Sequence, residues 1–160
     1  MKVRVLWFGR PSAAPFREQV ETYRSRVQRR WSADDRALRP AAGGRDADPG
    51  RALIAEAEIV RRQLPDGWSL AVLDEAGDRL SSEGFAKWLG ELEDRGVPGV
   101  AFVVGSDLGL DGGLKREAVR RISLSAMTWP HHLARLMVWE QLFRAVSILG
   151  GGGYHRLRVQ

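Results

Sequence analysis

Residues 99–109 have the sequence GVAFVVGSDLG, and this stretch decides the fold class. The apolar run from Val100 to Val104 is the most strand-like segment of the chain, and such a run is typical of a buried strand in a parallel sheet. Gly105 follows the strand, and a glycine there lets a ligand approach the backbone because it has no Cβ atom. The loop has neither the G-x-G-x-x-G nor the P-loop spacing. On its own it is compatible with a cofactor site or with an ordinary strand-to-helix turn.

Strand-like and helix-like segments alternate on both sides of this strand. The other strands are predicted at residues 3–8, 33–39, 68–73 and 122–125. Helices are predicted at residues 16–27, 49–64, 82–92, 114–121 and 130–149, and a turn-rich loop at residues 41–48. The alternation predicts an α/β fold with a mostly parallel sheet and helices on both faces. Because no linker or repeat interrupts it, residues 1–160 are interpreted as a single domain.

The composition is that of a basic protein without cysteine. Among 160 residues there are 25 Lys and Arg against 20 Asp and Glu, and the formal net charge of +5 favours polyanionic partners, although coding bias would give the same arginine excess. The absence of cysteine excludes disulfides and thiolate metal sites. Arg4 interrupts the first apolar run, unlike in a secretory signal, and no apolar stretch is long enough to span a bilayer. We therefore expect a cytoplasmic protein with no membrane partner.

Two further strand ends carry residues that suit a binding site. In an open parallel α/β sheet, ligands bind beyond the carboxyl ends of the strands. Residues 73–75 (LDE) lie at one such end, and residues 124–130 (LSAMTWP) lie at another, directly before the long last helix. Backbone groups of the second segment can bind the edge of an adenine while its apolar side chains cover the ring. The alternative is a packed loop whose Met127 and Trp129 only fill the core.

All three histidines, His131, His132 and His155, lie in the last thirty residues. Adjacent histidines at the start of a helix point about 100° apart, and no carboxylate has a suitable spacing, so a metal site is not expected. No G-x-S-x-G elbow supports a hydrolase. The last helix is apolar on more than one side, which predicts either burial in a dimer interface or a deep position within one subunit.

Four sequence blocks occur in a specific order: FVVGSDLG at 102–109, SLSAMTWPH at 123–131, EQLFRA at 140–145 and YHR at 154–156. In this order and spacing they resemble the RlmH family, the SPOUT-class pseudouridine methyltransferases of the large ribosomal subunit. The chain length, the opening strand and the strand end near residue 73 also fit. The likeness therefore spans essentially the whole chain and is densest over residues 100–156.

The resemblance implies a SPOUT fold with a C-terminal trefoil knot, which periodicity alone does not predict because knots are rare in proteins. It implies a homodimeric enzyme that uses S-adenosylmethionine to methylate N3 of a pseudouridine in 23S rRNA. The implied cofactor-binding positions are Leu73, Gly105, Leu124, Ser125, Ala126, Met127, Thr128 and Trp129.

The implied substrate side comprises the start of the last helix and the tail residues Tyr154, His155 and Arg156. Within it, His131 or His155 is the candidate for removing the N3 proton. Arg135 or Arg156 is the candidate for holding a phosphate or the base, where a cation would stabilise the resulting anion. The expected catalytic residues are His131, Arg135 and His155. The expected RNA-binding residues are Arg135, Tyr154, His155 and Arg156.

Two positions depart from the family pattern. Ser106 stands where a second glycine is usual, which is expected to narrow the cofactor loop. Gly153 stands where proline is usual before the tail, and the chain continues to Gln160, so the anchoring of Arg156 is open. A non-catalytic RNA-binding module and a methyltransferase for another RNA, such as tRNA, are the alternative functions.

Overall fold

The computed structural model of the protein describes residues 1–41 and 48–156, except for the side chains of residues 155 and 156. The strands in these ranges are β1 (Lys2–Phe8), β2 (Ser32–Leu38), β3 (Ser69–Arg79), β4 (Gly99–Val104) and β5 (Arg120–Ser123). The α-helices are α1 (Arg17–Val27), α2 (Pro49–Arg61), α3 (Ser82–Asp94), α4 (Gly112–Glu117) and α5 (His131–Leu149). Short 3-10 helices lie at Pro11–Ala13 and Gly153–Arg156.

The strands form one parallel sheet in the order β2-β1-β4-β3-β5. The strand predicted at residues 99–104 is its centre, and all six of its residues are buried. Side chains alternate along β1, so that Val5 and Trp7 join a core with α1, α3 and α5. Leu6 and Phe8 join a second core with α2 and α4 on the opposite face. The predicted α/β fold, with a parallel sheet between two helical layers, is confirmed.

Several predicted boundaries are wrong by a few residues. α4 is predicted at residues 114–121. It begins two residues before the predicted start and ends four residues before the predicted end. It begins early because the carboxylate of Asp111 accepts from the backbone N–H of Leu114 at 3.0 Å and caps the helix. It ends early because the N–H of Val119 donates to the carbonyl of Leu70 at 2.9 Å, where pairing with β3 starts. β5 consequently begins and ends two residues early, and α2 is three residues shorter than predicted.

β3 is longer than predicted because its second half crosses β5. Ile122 of β5 pairs with Leu73 in the first half of β3 and with Asp78 in the second. On each edge of a strand, a residue pairs with one residue of the neighbouring strand. Leu73 and Asp78 therefore pair with Ile122 on opposite edges of β5. Gly77 lies at the crossing, where an added Cβ would be 2.6 Å from the carbonyl carbon of Arg121, so only glycine fits without a shift. The C-terminal knot stays a prediction, and a strand enclosed by two parts of its neighbour is consistent with it.

Two sequence predictions fall outside the described residues. These are most of the turn-rich loop, residues 42–47, and the extension at residues 157–160. Within the described ranges, no helix has the length and apolar character needed to cross a lipid bilayer.

Candidate functional site

A cavity of about 740 Å³ opens at the carboxyl ends of β4 and β5 and beside the middle of β3, where its register shifts after Leu73, next to the first turn of α5. Three segments that are far apart in the sequence line it, namely residues 73–75, residues 104–110 and most of residues 124–131. The volume lies in the range of about 300–1,000 Å³ that is typical of small-molecule sites. The loop after β4, the loop before the long helix and the middle of β3 are thus parts of one cavity. The strand end predicted at residues 73–75 is wrong, because β3 continues to Arg79.

The loop after β4 is held by a hydrogen bond to a buried glutamate. Ser106 Oγ donates to Glu56 Oε2 at 2.8 Å, and Glu56 Oε1 accepts from the backbone N–H of Ala41 at 3.2 Å. Glu56 lies on the inner face of α2 and is only 4% exposed. Gly105 packs so closely that an added Cβ would be 2.6 Å from the carbonyl oxygen of Gly109. The serine that departs from the family pattern therefore anchors the loop, and the preceding glycine lets the loop close on itself.

Ser125 organises the loop between β5 and α5. Its Oγ accepts from the backbone N–H of Met127 at 2.9 Å and from Nε1 of Trp129 at 2.8 Å. Thr128 Oγ1 donates to Glu75 Oε2 at 3.1 Å, which joins this loop to β3. Met127 is 69% exposed, so it does not fill the core and is available to cover a ligand.

Asp74 places a negative charge in the wall of the cavity. Its side chain is 5% exposed, and it pairs with Lys115 Nζ at 3.3 Å and with Arg121 Nη2 at 2.7 Å. Burial raises the pKa of Asp74, but hydrogen bonds from Arg121 and Lys115 together outweigh it, and the pKa lies below its ordinary value. The carboxylate therefore stays ionised at neutral pH and holds Lys115 at the cavity wall.

His131 lies at the rim of the cavity, and a carboxylate holds one of its ring nitrogens. Its Nδ1 is 2.9 Å from Oδ1 of Asp107 in the loop after β4. The ring packs against that of His132, with 4.0 Å between centroids, and His132 meets the indole of Trp7 edge-on at 5.6 Å. Burial lowers the pKa of His132, and the neighbouring His131 and Arg135 lower it further. His132 is therefore favoured in its neutral form.

These histidines do not form part of a metal centre in the described structure. Among residues 1–41 and 48–156, no three His, Cys, Asp or Glu side chains are grouped so that they could hold a metal ion. The partners of the two rings are instead a carboxylate and an indole.

Arg135 does not line this cavity, and its catalytic and RNA-binding roles stay predictions. Its side chain is 5% exposed and binds Asp35 on β2 through Nε at 3.0 Å and Nη2 at 2.5 Å. The guanidinium also lies over the ring of Trp7, 4.1 Å from the centroid. With these positions of its fork occupied, Arg135 cannot hold a phosphate in this conformation. No local pattern indicates this pairing, because the partners are 100 residues apart in the chain.

The start of the tail packs on the middle of α5. The hydroxyl of Tyr154 donates to Glu140 Oε1 at 3.1 Å, and the guanidinium of Arg144 lies over the Tyr154 ring at 4.8 Å. Arg144 also forms an ion pair with Glu140. The predicted roles of the side chains of His155 and Arg156 lie outside the described residues.

Most cofactor-binding candidates line the cavity: Leu73, Gly105, Leu124, Ser125, Met127, Thr128 and Trp129. The remaining one, Ala126, is exposed and is not among the lining residues. Sequence reasoning missed Glu56, although a charged residue four positions before Val60 on the buried face of an amphipathic helix is a usable signal. It also missed Lys115, for which there was no signal, because its contact with Asp74 spans 41 positions.

Comparison with known proteins points to one family. A family model described as "Predicted SPOUT methyltransferase" matches residues 1–155. Proteins named ribosomal RNA large subunit methyltransferase H, from Dinoroseobacter shibae and from Ruegeria pomeroyi, are each 40% identical to this chain over 158 residues. The alignments cover 98% of this chain and 100% of each relative. The crystal structure of the SpoU methyltransferase AviRb from Streptomyces viridochromogenes, in complex with the cofactor AdoMet, aligns with a TM-score of 0.46 and 14% identity over 94% of this chain and 59% of its own.

Proposed function

Because this chain belongs to the SPOUT methyltransferases, and within them to the ribosomal RNA large subunit methyltransferase H family, we propose that it transfers a methyl group from S-adenosylmethionine to N3 of a pseudouridine in 23S rRNA. The observation that carries this proposal is the single cavity at the carboxyl ends of β4 and β5, beside the middle of β3 and the entry to α5. A ligand at that edge of a parallel sheet contacts several strand ends at once. A non-catalytic RNA-binding module would leave this cavity without a purpose.

The residues around the cavity fit S-adenosylmethionine. Leu124 and the exposed Met127 offer apolar cover for an adenine, and the backbone of their loop offers hydrogen-bonding groups. Gly105 keeps the backbone of the loop after β4 accessible to the ligand. Glu75 places a carboxylate in the wall, where it suits a ligand with positive sulfonium and ammonium groups. When bound, the cofactor supplies an electrophilic methyl group on its sulfonium and leaves as a neutral thioether.

The chain itself has to hold the acceptor base in line and remove its N3 proton. We assign the proton acceptor to His131, because Asp107 binds Nδ1 at 2.9 Å and leaves Nε2 as the basic atom at the cavity rim. The proton of the N3–H bond goes to this nitrogen. The electron pair that remains on N3 forms the new N3–CH3 bond.

The variant His131→Gln tests this assignment. We expect its single-turnover methylation rate to fall by about 10²-fold or more, which is the usual contribution of a positioned acid or base. Its affinity for S-adenosylmethionine, measured by calorimetry, should change little. Asp107→Asn keeps a hydrogen-bonding partner without the charge and should give a smaller loss. A wild-type rate for His131→Gln at saturating RNA would exclude His131 as the acceptor and leave His155 as the next candidate.

One face of α5 is suited to a second copy of the chain. An apolar hollow of about 520 Å³ lies between α3 and α5, and the half-buried side chains of Leu136 and Met137 line it. A helix that is apolar nearly all round needs such cover, which favours a homodimer. Tyr154, an expected RNA-binding residue, packs on the same helix through Glu140, so we propose that it lies beside this interface. Met137→Glu should therefore give monomers in analytical ultracentrifugation, and an unchanged dimer would contradict this interface.

Methylation of purified ribosomes tests the whole proposal. Ribosomes from a strain that lacks its own enzyme of this family are incubated with the protein and S-adenosylmethionine. The 23S rRNA is then digested and analysed by mass spectrometry. We expect one additional methyl group, on a pseudouridine. We also propose that the reaction takes place in the cytoplasm. Efficient methylation of tRNA instead, or no transfer to ribosomes, would contradict the proposal.

A further inference from the structure

A buried ion pair lies immediately beyond the cavity lining, between α5 and the sheet. Arg135 follows the lining residue Ala134, and its fork donates to both oxygens of Asp35, Nε to Oδ1 at 3.0 Å and Nη2 to Oδ2 at 2.5 Å. The indoles of Trp7 and Trp139 donate to the same carboxylate at 2.9 and 2.7 Å. Each oxygen of Asp35 thus accepts two hydrogen bonds, and these hold the guanidinium in one orientation.

A continuous series of ring contacts leads from this ion pair to the rim of the cavity. The guanidinium of Arg135 lies 4.1 Å from the ring centroid of Trp7. His132 packs edge-on against the same indole, with 5.6 Å between centroids and an interplanar angle of 66°. The ring of His131 follows at 4.0 Å, and its Nδ1 reaches Asp107. A displaced Trp7 ring would therefore also displace both histidines.

Packing, rather than hydrogen bonding, fixes the ring of His132. Its Nδ1 is buried and has no hydrogen-bond partner among the described residues, and the same is true of Nη1 of Arg135. Unpaired buried polar atoms cost free energy, so this cluster is not arranged for stability alone. The orientation of His132 depends on the indole of Trp7 on one side and on the ring of His131 on the other.

Charged and uncharged groups from three elements surround His132. His131 and Arg135 face it from α5, Asp107 faces it from the loop after β4, and Trp7 of β1 carries no charge. Burial lowers the pKa of His132, the cations lower it further, and Asp107 opposes them only in part. His132 is therefore favoured in its neutral form and acts as a packing partner.

We propose that Arg135 is a positioning residue, which is locked by Asp35 against Trp7 and through that indole and His132 holds His131 in its working orientation at the cavity rim. The inference rests on the proposed function, because it assigns a purpose to the orientation of His131. It replaces direct contact between Arg135 and the RNA with an indirect role.

Two single variants and one double variant separate orientation from charge. Arg135→Lys keeps the positive charge but loses the planar fork, and Arg135→Gln loses both. If orientation matters, both should lower the single-turnover rate by roughly tenfold or more, since small misplacements of a reacting group are costly. Only Arg135→Gln should also raise the pKa of His132, because the Arg135 charge lowers it in the wild type. Asp35→Asn/Arg135→Gln leaves no unpaired buried charge, and it provides a folded reference if Arg135→Gln does not fold.

Arg30 provides a matched control, because neither Arg30 nor its contact partners Trp31 and Glu93 line the cavity. It donates to Glu93 through Nε at 3.1 Å and Nη2 at 2.5 Å, the indole of Trp31 donates to the same carboxylate at 2.9 Å, and Arg30 lies over that indole at 5.7 Å. The chemistry is that of the Arg135 cluster, although Arg30 is more exposed. Arg30→Lys and Arg30→Gln should leave the rate and the pKa of His132 unchanged.

Nuclear magnetic resonance of the histidine rings gives a readout that does not require activity. In Arg135→Gln and in the double variant, the ring signals of His131 should shift, whereas they should stay the same in Arg30→Gln. If folded Arg135 variants keep the wild-type rate and His131 signals, the positioning role is overturned. If the wild-type protein fails to methylate ribosomes, the proposed function fails, and the His131 signals still decide whether Arg135 positions this ring.

Discussion

Replacing Gly105 by alanine should open the loop after β4 and weaken the binding of S-adenosylmethionine without unfolding the protein. The added Cβ would lie 2.6 Å from the carbonyl oxygen and 2.9 Å from the carbonyl carbon of Gly109, and neither backbone atom can rotate away. To restore an ordinary contact of 3.4 Å, the Gly109 carbonyl has to move by about 0.8 Å. Losing one well-placed hydrogen bond to the cofactor, about 1.4 kcal/mol, raises Kd roughly tenfold. The strain itself should cost about 1–3 kcal/mol of stability.

Calorimetric titration with S-adenosylmethionine measures this Kd, and circular dichroism melting measures the accompanying fall in Tm, about 2–12 °C. Gly96→Ala is the control, since Gly96 has a left-handed φ of +72° but no atom lies within 4 Å of an added Cβ. It should lose stability through backbone strain, about 1–2 kcal/mol, and bind the cofactor with unchanged affinity. Wild-type affinity in Gly105→Ala, or an equal loss of affinity in Gly96→Ala, would refute this reasoning.

Three further predictions concern the elements that shape the cavity. Gly77→Ala should lower the free energy of unfolding in urea by about 1–3 kcal/mol, because its Cβ would lie 2.6 Å from the backbone of β5; an unchanged urea midpoint would contradict the close crossing. Burial raises the pKa of Asp74, but two neighbouring cations lower it more. The ionised Asp74 side chain therefore stabilises the folded state fully above the unfolded-state pKa near 3.8, and this stabilisation is lost as the pH falls below that value. The stability difference between the wild type and Asp74→Asn should therefore shrink between about pH 6 and about pH 3, and a constant difference would be evidence against the paired carboxylate. Ser106→Ala removes a donor from the buried carboxylate of Glu56 and should cost about 1–3 kcal/mol, part of which the added Glu56→Gln should restore; full stability of the single variant would show that the serine does not anchor the loop.

The parallel direction of the strands, the helical layers on both faces of the sheet and the place of the cavity could be predicted from the sequence because they depend on local patterns. The apolar run at residues 100–104 indicates a fully buried strand, and β4 is the centre of the sheet. Alternation with helices requires parallel strands, and parallel strands bring their carboxyl ends to one edge. The segments at residues 73–75, 105–109 and 124–130 were therefore expected at the same edge, and all three line the cavity. Residues 73–75, however, lie within β3 rather than in a turn after it.

The remaining features depend on contacts between residues that are distant in the sequence. Arg135 suits a phosphate site when only its helix is considered, and only the tertiary structure brings Asp35 into its fork. The crossing of β5 by β3 requires pairing on both edges of Ile122, which no periodicity indicates. The end of α4 was misplaced for the same reason, since Val119 leaves the helix to pair with the sheet. Side-chain partners and strand order beyond neighbouring elements are tertiary properties.

A crystal structure of the protein soaked with S-adenosylmethionine tests the central claim most directly. We predict electron density for the compound between the loop after β4 and the loop that precedes α5, with His131 at the open side of the bound methyl group. Density for the compound at any other place on the chain, with the cavity empty or closed, would contradict the account.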